Sequence, residues 1–354
     1  MSEASFRQGR EDLLHFLAKD INSILAGYPL DDLKDKRLLL TGATGFVGRW
    51  LLLAIKCLND AGSAIKVIAL SRNPEHFLKS FPEWEDVSWL TWISGDIRDF
   101  QYPTLPIDAI IHGATDTSPQ LAIHNPAALY ESMVQGTERI LHFAKNQEIP
   151  RVLLISSGAI YGEQPTDLHG LSEDYSPVHG TDQDPYGEGK RAMEQLGAHF
   201  ATTYGLEIII ARCFTFVGFG LAKHLAISQF IRDAQENPEI AVKGDGQTVR
   251  SYLYAADLAL WLLTILARGK PGQAYNVGSP NAVTLIETAT RVRNLLAPAK
   301  QIIILGADAS APRRRYVPDT TRAENELKLR VWTELDQALQ KTAATTALCS
   351  SKSN

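Results

Sequence analysis

The run Thr41-Gly-Ala-Thr-Gly-Phe-Val-Gly48 constrains this chain more than any other feature, because it puts glycines at 42, 45 and 48 directly after the largely apolar run Arg37-Leu-Leu-Leu40. Phe46, Val47, Trp50, Leu51, Ala54, Ile55 and Leu58 then recur at the spacing of one helix face. The run therefore reads as strand, tight turn and helix. Glycines in such a turn permit positive φ, let the backbone approach a ligand closely and let helix pack on strand, while the free N–H groups of the helix start attract an anion. The spacing is G-x-x-G-x-x-G instead of G-x-G-x-x-G, yet its context is what a pyrophosphate-binding turn requires. Gly42, Thr44, Gly45, Phe46, Val47 and Gly48 are the first candidates for binding a dinucleotide; the competing reading is a turn whose glycines serve packing only.

The flanking pattern fits a doubly wound fold. Strand-like runs at 37–40, 65–70, 89–94, 109–112, 152–156 and 207–211 alternate with helix-like runs at 46–60, 126–146 and 185–204. Such alternation predicts a parallel sheet covered by helices on both faces, here a Rossmann-type α/β domain over 37–212. Beyond it the rhythm is broken by Gly218, Gly220, Gly244, Gly246 and Gly278. A smaller C-terminal α/β substrate-binding lobe is expected over 213–340, with helices at 225–235 and 255–267, strands at 239–242 and 273–277, and part of the chain returning to the main sheet. Residues 1–36 read as an N-terminal helical extension whose apolar stripe, Leu13 to Leu25, packs on the main domain or meets a partner. The Thr-, Ala- and Ser-rich stretch 341–354 shows no core pattern and is expected to fray.

Composition narrows the ligands. With 354 residues, 45% of them hydrophobic, the chain can bury a large core. A net charge of −5 with interspersed basic residues favours neither nucleic acid nor an anionic membrane, so small molecules are the expected ligands. Cys57, Cys213 and Cys349 are widely separated, which suits unpaired thiols in a reducing compartment and a cytoplasmic location. The histidines show no metal-ligand spacing, so no metal site is expected. The start of the chain lacks the features of a secretory signal, and no apolar run reaches the ~18 residues of a membrane span.

Two positions bear on which dinucleotide binds. The second predicted strand ends at Ser71-Arg72 instead of at an acid suited to a ribose 2′-hydroxyl, so Arg72 meets a 2′-phosphate, as in NADP, or remains a solvated loop residue. Asp96, after the third strand, bonds the adenine edge or serves a turn. The chemistry centres on Tyr186 and Lys190, four apart on a predicted helix and so on one face. A phenol is a poor base at neutral pH, and a nearby ammonium is expected to lower its pKa. In this reading Tyr186 exchanges a proton, Lys190 tunes it and orients the nicotinamide ribose, and Ser157 holds the same substrate oxygen; the alternative is an ordinary surface helix pair.

With these residues in place the chain resembles the extended short-chain dehydrogenase/reductases, specifically the NAD-dependent epimerase/dehydratase group that acts on nucleotide sugars. The resemblance runs from 37 to 335 and is carried further by Gly95-Asp96, Ile111-His-Gly-Ala114, Gly136-Thr137, Ser156-Ser-Gly-Ala-Ile-Tyr-Gly162, Arg250-Ser-Tyr-Leu-Tyr254, Tyr275-Asn-Val-Gly278 and Pro318-Asp319. It implies NAD or NADP as cofactor, with Ile97 and Ala114 added to its contacts, and a nucleoside-diphosphate sugar as substrate. Arg250 is expected to grip phosphate, Arg315 to add a second grip or stay solvated, and Thr115 and Thr215 to lie near the sugar. A homodimer through helices 126–146 and 185–204 is also implied.

The departures matter as much. Gly158-Ala159 stands where dehydrating members carry Asp-Glu and decarboxylating members a nearby Glu, and Met133 and Thr215 replace the usual asparagines. Without that acid and base, exchange of hydride and proton at one carbon is the better reading: reduction of a 4-keto-6-deoxyhexose nucleotide, with a 4-epimerase holding NAD tightly as the alternative. A 4,6-dehydratase or decarboxylase comes next, and a dinucleotide-sensing regulator, which would typically lack the tyrosine and lysine, comes last.

Overall fold

A computed structural model describes residues 3–115, 124–176, 184–306 and 314–350. Its centre is a sheet of seven strands: β1 (Arg37–Thr41), β2 (Lys66–Ser71), β3 (Leu90–Ser94), β4 (Ala109–His112), β5 (Arg151–Ser157), β6 (Glu207–Cys213) and β11 (Ala274–Val277). Their order is β11-β6-β5-β4-β1-β2-β3, and every pairing is parallel. Side chains alternate between the two faces of a strand, so Leu38 and Leu40 join Trp50, Leu51 and Trp261 on one side, while Leu39 joins Ile140 and Phe143 on the other. The strand order reverses between β1 and β4, and a crevice opens at such a switch point beyond the carboxyl ends of the strands.

Helix α2 (Phe46–Asp60) covers the first face; α4 (Pro126–Asn146) and α5 (Pro185–Tyr204) cover the second. The second half adds short strands β7 (Phe216–Val217), β9 (Val249–Arg250), β10 (Leu253–Tyr254) and β14 (Arg315–Tyr316), which form small sheets of their own. Strand β11, by contrast, returns from this half to edge the main sheet.

Both chain ends pack as helices. In α1 (Glu3–Leu25), Leu13, Leu17, Ile21 and Ile24 are buried, and Asp20 accepts a hydrogen bond of 2.8 Å from Tyr254 and pairs with Lys341. The last helix, α10 (Leu335–Ser350), corrects the expectation of a frayed tail from 341, although residues 351–354 lie outside the described region. Thr342, Thr345 and Thr346 donate their hydroxyls to carbonyls one turn back, which hides their polarity and lets a threonine and alanine face pack although it carries no apolar stripe. Among the described residues no helix is long and apolar enough to cross a membrane.

Candidate dinucleotide and catalytic site

The glycine turn lies at the carboxyl end of β1. Gly42 has φ +74, and a Cβ there would fall 2.7 Å from the carbonyl carbon and oxygen of Gly113. At Gly48 the equivalent atom would be 2.3 Å from the Gly42 carbonyl, so only glycine lets α2 start against the turn. Gly42, Thr44, Gly45, Arg72, Asp96, Ile97, Ala114 and Thr115 all line one cleft of about 410 Å³. The sequence had scattered these residues over four strand ends; the sheet brings them to one rim. The side chains of Phe46 and Val47 are half-buried and pack against the core, Phe46 with its ring stacked on Phe216 at 6.3 Å.

Asp96 uses both carboxylate oxygens on Arg98, at 2.7 and 3.1 Å, and accepts the Arg98 backbone N–H at 3.0 Å. These bonds, with the charge of Arg72 nearby, hold its carboxyl below the usual range. The cleft therefore has two arginines around one acid on the wall formed after β2 and β3.

Helix α5 brings up the reactive side chains. Asp184 caps its start, accepting the N–H groups of Tyr186 at 3.2 Å and Gly187 at 3.1 Å, and Pro185 occupies its first turn. Lys190 is 3% exposed, and its Nζ donates to Thr115 Oγ1 at 2.9 Å and to the Ile155 carbonyl at 2.7 Å. Its Nζ lies 5.8 Å from the centre of the Tyr186 ring. Burial pushes the lysine down to about 8. The Ser157 hydroxyl, at the end of β5, accepts the Ala159 N–H at 3.1 Å and lies on the side of the Tyr186 phenol, whose pKa it lowers.

One expectation fails here. Burial pushes the Tyr186 phenol up to about 12, and the Ser157 hydroxyl only partly opposes it. The ammonium was expected to win, but its donors are turned to Thr115 and Ile155, and desolvation of a phenolate outweighs a cation that does not touch it.

Sequence reasoning missed a second phenol. The hydroxyl of Tyr316, on β14, lies 3.5 Å from Ser157 Oγ and 3.4 Å from the Cys213 carbonyl, with its ring 4.6 Å from that of Phe214. A Cβ at Gly158 would meet the Tyr316 hydroxyl and Phe214 Cζ, each at 2.7 Å. The place of the missing acid is thus filled by two rings. No local pattern signals this, because Tyr316 is 159 residues from Ser157.

A buried ion pair was missed as well. Glu194, one turn beyond Lys190, pairs with Arg212 at 2.8 Å and accepts the hydroxyl of Ser156 at 2.5 Å, so it ties α5 to the strand that ends in Ser157. Met133 packs on the other side, since a Cβ at Gly189 would strike its Cε at 2.2 Å.

The substrate candidates are spread over the second half. Arg250 lies over the Tyr316 ring at 5.9 Å and donates to the Val249 carbonyl at 2.9 Å; burial pushes its pKa down. Thr215 donates its hydroxyl to the Ser251 carbonyl at 2.6 Å, which places it beside Arg250. Arg315 directs Nε and Nη2 to the His169 carbonyl, at 3.0 and 2.7 Å, and so braces the loop after β5. Arg313 of the same run lies outside the described residues.

A parallel sheet with a glycine turn at its switch point, and serine, tyrosine and lysine beside it, defines an enzyme of the short-chain dehydrogenase/reductase type. The chain belongs to the NAD dependent epimerase/dehydratase family, whose model matches residues 38–278. It is 29% identical over 320 residues to UDP-glucuronic acid decarboxylase 1 of Danio rerio, covering 87% of this chain and 72% of that protein. In fold it is similar to the dTDP-glucose 4,6-dehydratase DesIV of Streptomyces venezuelae, solved with NAD and TYD bound (TM-score 0.75, 23% identity, 88% of this chain and 97% of the other). It is likewise similar in fold to UDP-glucuronic acid 4-epimerase of Bacillus cereus, solved with UDP-glucuronic acid and NAD (TM-score 0.76, 20% identity, 88% and 99%). The family is thus one of NAD-dependent, nucleotide-sugar-modifying enzymes, named for epimerases and dehydratases and with decarboxylases among the curated relatives.

Proposed function

We propose that this enzyme reduces a 4-keto-6-deoxyhexose nucleotide at C4. The observation that carries the reading is the space beside Ser157, where a side chain at position 158 would meet Tyr316 and Phe214, each at 2.7 Å, while the Tyr186 phenol stands ready with its proton. An alcohol can be oxidised only if something accepts its proton, whereas reduction of a ketone needs a donor. Tyr186 enters as that donor. The cleft residues would hold a reduced dinucleotide, which when bound would supply the hydride and, being neutral at its nicotinamide, would not draw the phenol toward ionisation. Ser157 holds the carbonyl oxygen against Tyr186, and Lys190 stabilises the negative charge left as the proton leaves.

The filled space at Gly158 supports the same direction. Dehydration and decarboxylation call for a further acid or base beside Ser157, which neither Gly158 nor Ala159 supplies. In this reading Arg72 and Arg98 suit a 2′-phosphate and hence NADP, while Arg250 receives the nucleoside diphosphate. Helices α4 and α5 pair within the chain and carry the exposed Tyr130 and Tyr204, so a second copy adding two more helices forms the dimer.

The test is to denature the purified protein and identify any released dinucleotide. An empty site that then prefers NADPH, together with oxidation of NADPH on a 4-keto nucleotide sugar, supports the reductase. Stoichiometric NAD⁺ overturns it and moves the chain to the enzymes that recycle their own dinucleotide, the 4-epimerases first, which use the same three side chains.

A further inference from the structure

His112 ends β4, is 2% exposed and takes no part in the chemistry above. Its Nε2 lies 3.2 Å from Thr137 Oγ1, and its Nδ1 lies 2.9 Å from Thr41 Oγ1. Hydrogen-bond valence assigns every proton. The Thr137 hydroxyl donates to the Met133 carbonyl at 2.7 Å, and a carbonyl can only accept, so the proton between His112 and Thr137 belongs to Nε2. At the other end Thr41 Oγ1 accepts the N–H of Ala114 at 3.1 Å and that of Gly113 at 3.1 Å, the latter shared with the Thr41 carbonyl at 3.2 Å. Its own proton is left for Nδ1.

The result is one directed chain, from the N–H groups of residues 113 and 114 through Thr41 and His112 to Thr137 and Met133 on α4. We infer that His112 is a positioning residue: as a neutral imidazole held in its Nε2–H tautomer, it fixes the 113–115 segment against the glycine turn and so sets the floor of the dinucleotide cleft. That segment touches Gly42 on one side, and on the other its Thr115 accepts Lys190 Nζ, so one imidazole sets both cradle and catalytic lysine. A cationic imidazole does not fit, because Thr41 Oγ1 would have to accept a third donor. Burial, with the Lys190 charge facing the ring, pushes its pKa down to about 3. The inference rests on the dinucleotide reading of the cleft.

The direct test is nitrogen NMR on histidine-labelled full-length protein. One imidazole is expected with a protonated Nε2 and a bare Nδ1, unchanged from about pH 8 to about pH 5, where ordinary histidines titrate. It is assigned by its loss in His112→Phe, or by its perturbation in Thr137→Val if the first variant does not fold. An Nδ1–H tautomer, or an ordinary titration, overturns the inference. The functional arm measures NAD⁺ and NADPH affinity well below the unfolding temperature: Thr137→Val is expected to weaken binding about tenfold, the cost of one unsatisfied buried group, and Thr137→Ser to restore it. A Thr137→Val protein that binds as wild type does, merely melting earlier, also overturns the inference. Wild type that binds neither dinucleotide removes the underlying reading itself.

Discussion

The dinucleotide cleft and the catalytic junction are built from different materials. The cleft is made of backbone: a glycine turn, strand ends and the start of a helix, held by close approaches such as that of Gly42 to Gly113. The junction is made of side chains from three places, Ser157 on β5, Tyr186 and Lys190 on α5 and Tyr316 on β14. Backbone geometry tolerates almost any neighbour that leaves it room, so the cleft suits a cofactor shared by a whole family. Side chains that meet across the fold are individually replaceable, so the junction is where one member's reaction parts from another's.

That contrast breaks first at Tyr186. Tyr186→Phe is expected to lower kcat about 10³-fold, as loss of a general acid does, while dinucleotide binding persists. Unchanged turnover on a 4-keto nucleotide sugar would remove the phenol from the mechanism.

Gly42→Ala probes the other material. Its Cβ has no space beside Gly113, and φ is +74, so both dinucleotide affinity and stability should fall, the latter by about 1–3 kcal/mol in chemical denaturation. Normal binding by that variant would mean the turn is only packing.

The pH dependence sharpens the role of Lys190. With a pKa of about 8, its ammonium is lost as pH rises through that value, so kcat should fall there, and Lys190→Arg should move the falling limb upward. The folding linkage runs the other way. Because the folded pKa is depressed from 10.5, the unfolded chain binds more protons between about 8 and 10.5, and this group's contribution to stability rises with pH across that window. A kcat profile flat through this range would disconnect the lysine from the chemistry.

The smallest effect is expected at Tyr316. Tyr316→Phe removes one hydroxyl 3.5 Å from Ser157 and leaves the ring that fills the space at Gly158, so the loss in kcat/KM should be near tenfold or less, about 1 kcal/mol. A loss as large as that at Tyr186 would make Tyr316 a second proton donor.

Much of this was legible before any coordinates. The strand at 109–112 and the helices at 46–60, 126–146 and 185–204 lie where period and punctuation put them, because their signals are local. The helix at 335–350 was missed, since threonines bonded to their own backbone bury a face that looks polar in sequence. Arg315 was legible as a cation but not as a brace for His169, because a charge does not announce its partner.

By itself the sequence determined the parallel sheet, the glycine turn and the tyrosine and lysine one turn apart, all set by spacing along a single element. Only the tertiary structure decided that burial raises the Tyr186 phenol, that Lys190 turns to Thr115 and Ile155, that Tyr316 fills the space at Gly158 and that His112 is neutral. Those properties depend on burial and on partners distant in the chain. Desolvation and hydrogen-bond valence are fixed by what surrounds a group in space, and no period of residues encodes that.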